Sequence, residues 1–286
     1  MFARFSTSRL NTLLMAVLLL TAVVWATLGC TKTEKQPAID EAPKGGAVEQ
    51  ILQRGVLRVG FSTFVPWAMQ DKKGEFVGFE IDVARRLAKD MGVGVQFEPT
   101  QWSGIIPALL SGKFDIIIGG MSIQPQRGLK VNFTIPYEYS GMSLVGDRLK
   151  TGSFKTLADF DRPDVILAIR QGTTAVDVAK KFMPKAQVRL FEQEAQTIQE
   201  VLNGRAHAVV ASDPFPAFQA LKYPDKLVLP LAEPFTKEPI AFAVRKSDPD
   251  FVNFLDGWIR MVTDEGWLAE RHNYWFRTNQ WQGQVE

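Results

Sequence analysis

A hydroxyl and a guanidinium follow a short apolar run in the middle of the chain, and together they are suited to binding a carboxylate. The run, Ile116–Ile118, is too short for a helix and rich in β-branched residues, which indicates a buried strand. The pair Gly119–Gly120 then exposes backbone N–H groups, and Ser122 and Arg127 follow shortly after it. Such groups beyond the carboxyl end of a strand form a receptor for a carboxylate. The alternative is a plain turn with a solvated arginine, and this segment alone does not decide between the two.

The elements around this segment alternate between strand and helix patterns. Strands are predicted at 57–61, 95–98, 116–118, 165–169, 188–191, 207–211 and 240–244. Helices are predicted at 80–91, 105–110, 175–182, 195–203 and 249–264, followed by a helical tail at 266–276. This alternation predicts two α/β units, each an open, mostly parallel sheet flanked by helices. A ligand cleft is expected where loops follow the carboxyl ends of the strands.

Residues 1–30 have the pattern of an export signal. Positive charge precedes the apolar run Leu13–Val24, which suits a signal peptide and falls short of the roughly 20 residues that span a membrane. The only cysteine, Cys30, follows Thr27-Leu28-Gly29, which resembles the lipobox of bacterial lipoproteins, although the leucine lies one place later than usual. We expect lipid attachment at Cys30. The alternative is ordinary signal cleavage after Val24-Trp25-Ala26.

Composition and motifs narrow the class of protein. The chain has 286 residues and a formal net charge of +2, with acidic and basic residues interspersed, which argues against nucleic-acid binding. Residues 31–47 are polar and contain proline and glycine, as in a flexible tether, and the remaining length suits two modest domains. With only two histidines and without nucleophile or metal-ligand motifs, we expect neither an enzyme nor a metal nor a cofactor.

Several segments match one protein family in the same order along the chain. They are Gly78–Val83 with Leu87, Ala88 and Met91; Pro107–Leu109 with Gly112, Lys113 and Asp115; Met121–Ile123 with Arg127 and Phe133–Tyr137; Gln171–Thr173; and the tail from Ala241 to Phe276. The chain from about Val48 to Phe276 thereby resembles the bacterial extracellular solute-binding proteins of family 3, the polar amino-acid receptors of ABC importers.

The resemblance implies the two-lobed periplasmic-binding-protein fold (type II), in which two crossover strands act as a hinge and the lobes close on a ligand. Lobe 1 would comprise 48–144 plus 240–286, and lobe 2 would comprise 145–239. We expect the crossings near Ser143–Asp147 and Lys237–Ala241.

The resemblance also implies a function. We expect a periplasmic or cell-envelope receptor of an ABC importer that binds a small amino acid or a related carboxylate. Its partners would be a membrane permease, the membrane through the lipid anchor, and no nucleic acid. We expect a monomer.

Residue roles follow where this chain matches the family pattern. Arg127 occupies the position of the arginine that binds the ligand carboxylate, and a planar guanidinium can hold both oxygens. Ser122 and the Gly120 backbone would assist it. Thr173 and Thr174 would donate to the same carboxylate from the second lobe, at a helix N-terminus that favours an anion.

Two aromatic residues and one polar position complete the expected site. Phe64 and Trp102 occupy positions where the family places aromatic rings around the ligand side chain. The family usually has an aspartate for the ligand amino group where this chain has Ser212, and Asp213 follows one residue later. Either Asp213 serves through a one-residue shift, or the ligand lacks the usual amino group. For Asp213 the alternative role is that of a helix N-cap before Pro214.

The ligand type is indicated by the loop at Ser62. Relatives that bind arginine or lysine often carry an acid there, and this chain has none, so we expect a neutral or aromatic ligand. The alternative function is a periplasmic cyclohexadienyl dehydratase on the same fold, which needs a general acid in the cleft. Glu192, Glu194 and Asp213 are the candidate acids.

Overall fold

The computed structural model describes residues 45–285, which form two five-stranded sheets with helices packed against them. The strands are β1 (Val56–Phe61), β2 (Met69–Gln70), β3 (Phe76–Val77), β4 (Gly94–Pro99), β5 (Ile116–Ile117), β6 (Asn132–Phe133), β7 (Glu138–Ser140), β8 (Met142–Asp147), β9 (Ile166–Arg170), β10 (Gln187–Phe191), β11 (Ala208–Ser212), β12 (Leu227–Val228), β13 (Glu238–Ile240) and β14 (Ala243–Val244). The helices are α1 (Ala47–Arg54), α2 (Phe79–Asp90), α3 (Ile105–Leu110), α4 (Pro125–Gly128), α5 (Arg148–Thr151), α6 (Leu157–Phe160), α7 (Thr174–Phe182), α8 (Glu194–Leu202), α9 (Phe215–Lys222), α10 (Pro249–Asp264), α11 (Trp267–His272) and α12 (Gln282–Val285).

The predicted signal peptide, its lipobox and Cys30 lie outside the described residues, as does the predicted tether up to Lys44. Helix α1 begins at Ala47, within the last residues assigned to that tether. None of the helices in residues 45–285 combines the length and the apolar character that crossing a bilayer requires.

The first sheet is built from both parts of the chain that flank the middle. Its strand order is β4-β1-β5-β14-β6, and β1 pairs in parallel with β4 and β5. Strand β14 arrives from the C-terminal part and runs against its neighbours β5 and β6. Residues Ile116–Ile118 are fully buried, as expected for a central strand that is covered by helices on both faces.

The second sheet repeats this arrangement with residues from the middle of the chain. Its order is β10-β9-β11-β8-β12, and β9 pairs in parallel with β10 and β11. Here β8 is the strand that runs against its neighbours. Each sheet is therefore mostly parallel with one reversed strand, which confirms the predicted fold class.

A pair of antiparallel strands, β7 and β13, joins the two sheets. The second crossing lies within the predicted Lys237–Ala241, but the first was predicted wrongly, because Ser143–Asp147 belongs to β8 in the second sheet. The chain leaves the crossing at Gly141, where a Cβ atom would lie 2.1 Å from the carbonyl oxygen of Thr236. The limits of the two lobes stay a prediction.

A buried carboxyl group supports the turn that contains Gly120. Glu80, in the first turn of α2, is fully buried, and both of its oxygens lie 2.7 Å from the hydroxyl of Tyr137. Burial raises the pKa of Glu80 to about 8, while hydrogen bonds from Tyr137 and the Gly120 backbone act in the opposite direction. The side chain is therefore mostly protonated at neutral pH.

Replacing Glu80 by glutamine should flatten the pH dependence of stability. The pKa of Glu80 is about 8 in the folded protein and about 4.5 in the unfolded chain, so the native state keeps a proton that the unfolded state has lost. Its stabilising contribution is complete below the unfolded pKa and falls as the pH rises towards the folded pKa. The melting temperature should therefore fall less from about pH 5 to about pH 8 in Glu80→Gln than in the wild type.

The control for this prediction is Glu75→Gln, because Glu75 is exposed. It should keep the wild-type slope of melting temperature against pH. A Glu80→Gln slope equal to that of the wild type would contradict the assignment of a buried neutral carboxyl.

Candidate functional site

A cavity of about 30 Å³ lies between the two sheets, where loops follow the carboxyl ends of β5, β9 and β11. This volume holds about one water molecule, so the lobes are closed around it. Most of the predicted ligand residues line it: Phe64, Trp102, Gly120, Ser122, Arg127, Thr173 and Thr174.

The backbone after β5 forms the first wall of the cavity. Gly120 has a φ of 69°, a left-handed conformation that favours glycine. A Cβ atom there would lie 3.4 Å from the rings of Phe64 and Trp67, so a side chain would crowd the turn. The turn thus needs glycine both for its conformation and for its close packing, and it positions Ser122 beside the cavity.

Arg127 spans the gap between the lobes. Its Nη1 donates to the carbonyl oxygen of Ser122 at 3.0 Å, and its Nη2 donates to the carbonyl oxygen of Gly172 at 3.1 Å. Burial lowers the pKa of the guanidinium from its ordinary value, while the carboxylates of Glu238 and Asp177 act in the opposite direction. Two of its five N–H groups are used by these hydrogen bonds, which leaves donors for a ligand carboxylate.

Glu238, on the joining strand β13, meets the hydroxyls that were expected to hold the ligand. Ser122 Oγ donates to Glu238 Oε2 at 2.6 Å, and Thr174 Oγ1 donates to the same oxygen at 2.8 Å. Thr173 Oγ1 donates instead to the carbonyl oxygen of Arg170 at 2.7 Å. The two threonines therefore differ, since only the hydroxyl of Thr174 contacts another side chain at the cavity wall.

The aromatic residues divide between the cavity and the core. Trp102 lines the cavity, and its Nε1 donates to the carbonyl oxygen of Gly172 at 3.1 Å. Phe64 lines the cavity and stacks on Trp67, with 5.6 Å between ring centroids. Trp67 is 1% exposed and packs edge-on against Phe79, so it belongs to the core of the first lobe.

Asp213 does not line the cavity, which corrects its expected place in the site. The residue at the cavity wall is Ser212, the last residue of β11. Asp213 follows the end of this strand, and the charge of Arg277 acts on it. Burial raises its pKa from the ordinary value, and the Arg277 charge opposes this. Asp213 is not a side-chain cap of α9 either, because the N-cap is Pro214.

Two charged residues of the cavity wall were not assigned to the ligand site from the sequence. Arg170 ends β9 and Glu194 begins α8; both line the cavity, with Arg170 Nη1 and Glu194 Oε2 4.0 Å apart. Burial raises the pKa of Glu194 to about 7 against the Arg170 charge, and burial lowers the pKa of Arg170. In the sequence, Arg170 could have been noticed because it directly precedes the family segment Gln171–Thr173. A charged residue at the end of a strand is usually solvated, however, and Arg170 looks like one.

A second, larger cavity of about 610 Å³ adjoins the first. Three residues, Phe64, Arg170 and Glu194, line both cavities and therefore form the wall between them. The larger cavity also lies between the lobes, because residues 62–70 and residues 192–199 contribute to it.

The two histidines have structural partners and do not line either cavity. The Nδ1 of His207 accepts a hydrogen bond from the backbone N–H of Ile166 at 3.0 Å. The Nδ1 of His272 lies 2.7 Å from a carboxylate oxygen of Glu138. Within residues 45–285, no cluster of histidine and acidic side chains has the arrangement of a metal site.

Comparisons with known proteins connect this geometry to a family. A model of the bacterial extracellular solute-binding proteins, family 3, matches residues 57–278. Cyclohexadienyl dehydratase of Pseudomonas aeruginosa is 26% identical over 229 residues, which cover 80% of this chain and 85% of that protein.

Two solved structures share the fold at higher identity. The ancestral amino-acid-binding protein AncCDT-1, described as a precursor of cyclohexadienyl dehydratase, is 40% identical with a TM-score of 0.75; the match covers 81% of this chain and 100% of that chain. A putative binding component of an ABC transporter from Wolinella succinogenes, complexed with lysine, is 40% identical with a TM-score of 0.76; the match covers 80% of this chain and 99% of that chain.

The enzyme among these relatives corrects one expectation from the sequence. The sequence analysis predicted that this chain is not an enzyme. That prediction is wrong because it excluded catalysis, whereas an enzyme, cyclohexadienyl dehydratase, matches most of the length of this chain. The missing nucleophile and metal motifs therefore do not exclude catalysis on this fold.

Closure of the cleft depends on a close approach at Gly172. Trp102 and Arg127 of the first lobe both donate to its carbonyl oxygen, and Ser103 Oγ donates to Glu192 Oε2 at 2.8 Å beside them. Gly172 has a φ of 75°, and a Cβ atom there would lie 3.2 Å from the Cα atom of Ser103. A side chain at this position would push the lobes apart.

We therefore expect Gly172→Ala to shift the protein towards an open form. The matched control is Gly204→Ala, since Gly204 has a φ of 68° but its Cβ would lie 3.9 Å from a flexible Lys150 side chain. Both variants should lose about 1–2 kcal/mol of stability from backbone strain. Only Gly172→Ala should raise the radius of gyration measured by small-angle X-ray scattering. Equal radii in the two variants would contradict the role given to Gly172.

Proposed function

This chain belongs to the bacterial extracellular solute-binding proteins, family 3, and we propose that it is the substrate-binding receptor of an ABC importer for an amino acid or a related carboxylate. The observation that carries this proposal is the closed cavity between the lobes, which has an arginine, a serine and a threonine hydroxyl in its wall. Hinge closure would bury the ligand at this place.

The ligand carboxylate would bind Arg127. The remaining N–H groups of this half-buried guanidinium and the Gly120 backbone lie in the cavity wall, while the hydroxyl of Ser122 donates to Glu238. Thr174 brings the N-terminus of α7 to the same wall from the second lobe, where the helix dipole favours an anion. A carboxylate held in this way contacts both lobes and would stabilise the closed form.

Glu238 does not line the cavity itself, but it contacts Ser122 and Thr174 in the cavity wall, and we infer that it would hold the ligand amino group. Ser212 occupies the position where the family usually has an aspartate, and it carries no charge. The Glu238 carboxylate is held by the hydroxyls of Ser122 and Thr174, two residues of the cavity wall, and its charge acts on Arg127. A carboxylate beside a guanidinium matches the ammonium and carboxylate of an amino acid.

A neutral ligand, aromatic amino acids included, is our preferred class. The Ser62 hydroxyl, which lies where relatives that bind cationic amino acids often carry an acid, accepts a hydrogen bond from the guanidinium of Arg170. A cation therefore lies where such a ligand would need an anion. The Wolinella relative was solved with lysine, so a binding assay should compare cationic amino acids with neutral ones.

Location and partners follow as part of the same proposal. We expect a periplasmic or cell-envelope protein that delivers its ligand to a permease as a monomer and is held to a membrane through Cys30. Membrane fractionation of the full chain tests the anchor, which a fully soluble protein would contradict.

The test of the receptor function is a thermal-shift screen against the amino acids, followed by calorimetric titration with the one that gives the largest shift. Arg127→Ala should weaken binding about 100-fold or more, because truncating one partner of a buried charge pair costs about 2–5 kcal/mol. Glu238→Gln should weaken it for an amino acid but not for the corresponding 2-oxo acid.

Controls for this titration are two surface variants, Arg162→Ala and Glu233→Gln. Arg162 pairs with Asp164 on the surface, and Glu233 is exposed. Both should bind like the wild type. Unchanged affinity in Arg127→Ala, with the melting temperature retained, would contradict the proposed carboxylate site.

A second candidate function, dehydration of a cyclohexadienyl carboxylate, is favoured by Glu194. Its buried carboxyl has a pKa raised to about 7, so at neutral pH about half of the molecules carry a proton that could pass to a leaving hydroxyl. The test is incubation with prephenate or arogenate and detection of an aromatic product by its absorbance. If turnover occurs, Glu194→Gln should reduce it about 100-fold or more, and Glu200→Gln on the surface of the same helix should not. Recovery of unchanged substrate would contradict this second candidate.

A further inference from the structure

Two opposite charges are buried side by side in the wall between the two cavities. Arg170 is 4% exposed and Glu194 is 7% exposed. Their nearest charged atoms, Arg170 Nη1 and Glu194 Oε2, are 4.0 Å apart, which is within ion-pair distance but too long for a hydrogen bond. Burying two charges without direct hydrogen bonds between them is energetically unfavourable, which suggests that this pair has a function.

Each of these two side chains has one buried atom without a partner. Arg170 Nε and Glu194 Oε1 form no hydrogen bond with any part of the chain that the structure describes. The remaining contacts of Arg170 are a hydrogen bond from Nη2 to the hydroxyl of Ser62 and a position over the ring of Trp102, 5.9 Å from its centroid. One donor and one acceptor are therefore left unsatisfied in the same wall, where polar groups normally find partners.

Both side chains line the cavity that contains Arg127 and Ser122. A ligand whose carboxylate binds Arg127 needs more room than the cavity of about 30 Å³ in the closed form, so the lobes would part to admit it, and the rest of its chain would then pass Arg170 and Glu194. We propose, on the basis of the receptor function above, that Arg170 and Glu194 form a second subsite for the far end of the ligand. This end would be an uncharged group with both a hydrogen-bond acceptor and a donor, such as a side-chain carboxamide or ureido group.

The chemistry of the two unsatisfied atoms selects this class of group. The carbonyl oxygen of an amide or urea accepts from Arg170 Nε, and its N–H group donates to Glu194 Oε1. A guanidinium or ammonium would meet the like charge of Arg170, and a carboxylate would meet that of Glu194. Among the neutral ligands, an end group with both a donor and an acceptor satisfies both atoms and avoids a like-charge contact.

The larger cavity behind this wall is suited to the same chemistry. Five glutamine side chains line it: Gln70, Gln101, Gln193, Gln199 and Gln219. Amides offer donors and acceptors without net charge, as the subsite does. With a volume of about 610 Å³, this cavity has room for the end of a longer ligand that passes between Arg170 and Glu194.

The experiment is calorimetric titration of the mature protein with two pairs of ligands of equal length. L-Citrulline and L-arginine differ only in a ureido against a guanidinium end, and L-glutamine and L-glutamate differ only in a carboxamide against a carboxylate. The wild type should bind citrulline at least about tenfold more tightly than arginine, and glutamine at least about tenfold more tightly than glutamate.

Each of two single variants should weaken the preference for the uncharged ligand in one of the two pairs. Arg170→Gln removes the cation and should move the citrulline-to-arginine ratio towards arginine. Glu194→Gln removes the anion and should move the glutamine-to-glutamate ratio towards glutamate. A loss of folding would weaken all four ligands alike, so reciprocal changes identify a subsite. Glu200→Gln, whose carboxylate pairs with Arg205 on the surface of the same helix, should leave both ratios unchanged.

The outcomes separate this inference from the receptor function. If amino acids bind the wild type but the ratios do not change in the two variants, the subsite is overturned and the receptor function stands. If the folded wild type binds none of the amino acids in the screen, both are overturned. Tighter binding of arginine than of citrulline by the wild type would also overturn the subsite.

Discussion

One carbonyl oxygen, that of Gly172, joins the two lobes at the cleft. It accepts hydrogen bonds from the indole of Trp102 and the guanidinium of Arg127, so a single atom of the second lobe fixes two side chains of the first. The left-handed backbone of Gly172 and its close approach to Ser103 allow this contact. The residues of the proposed carboxylate site come together only when the lobes meet, because Thr174 of the second lobe then contacts the same Glu238 oxygen as Ser122 of the first. Affinity and closure depend on the same few atoms.

The electrostatics of the cleft follow from this burial. Each buried guanidinium has a carboxylate nearby: Glu238 acts on Arg127, and Glu194 acts on Arg170. Burial lowers the pKa of both arginines, and the carboxylates oppose that effect. In the proposed receptor, a cleft whose charges are balanced in this way would favour a ligand without net charge, such as a zwitterion, by electrostatic complementarity. This distinguishes it from a cleft that holds a single unpaired acid.

The fold class could be predicted from the sequence because it depends on local patterns. The predicted strands and helices lie within a few residues of observed ones, whereas β8 and α9 were not predicted. The residues near Arg127 line one cavity as expected, and their role as a ligand site stays a prediction. Arg170 was not assigned, since it lies at a strand end and resembles a solvated charge until the lobes bury it, and Glu194 was named only as a candidate acid of the alternative enzyme. Asp213 does not line the cavity because it follows the last residue of β11, Ser212, which is the residue in the cavity wall. The first crossing was misplaced because Gly141, not a change in hydrophobic pattern, ends β7.

The wall between the two cavities also has an evolutionary consequence. The side chains of Phe64, Arg170 and Glu194 separate the cavity of about 30 Å³ from the cavity of about 610 Å³. Arg170 and Glu194 are opposite charges that stabilise each other poorly at 4.0 Å. A single substitution to a small residue at Arg170 would join these spaces and change the size of ligand that fits, without touching the groups beside Arg127. In the proposed receptor, specificity would thus be separable from the carboxylate site at Arg127. Descendants could exchange substrates in few mutational steps while keeping the closing motion intact.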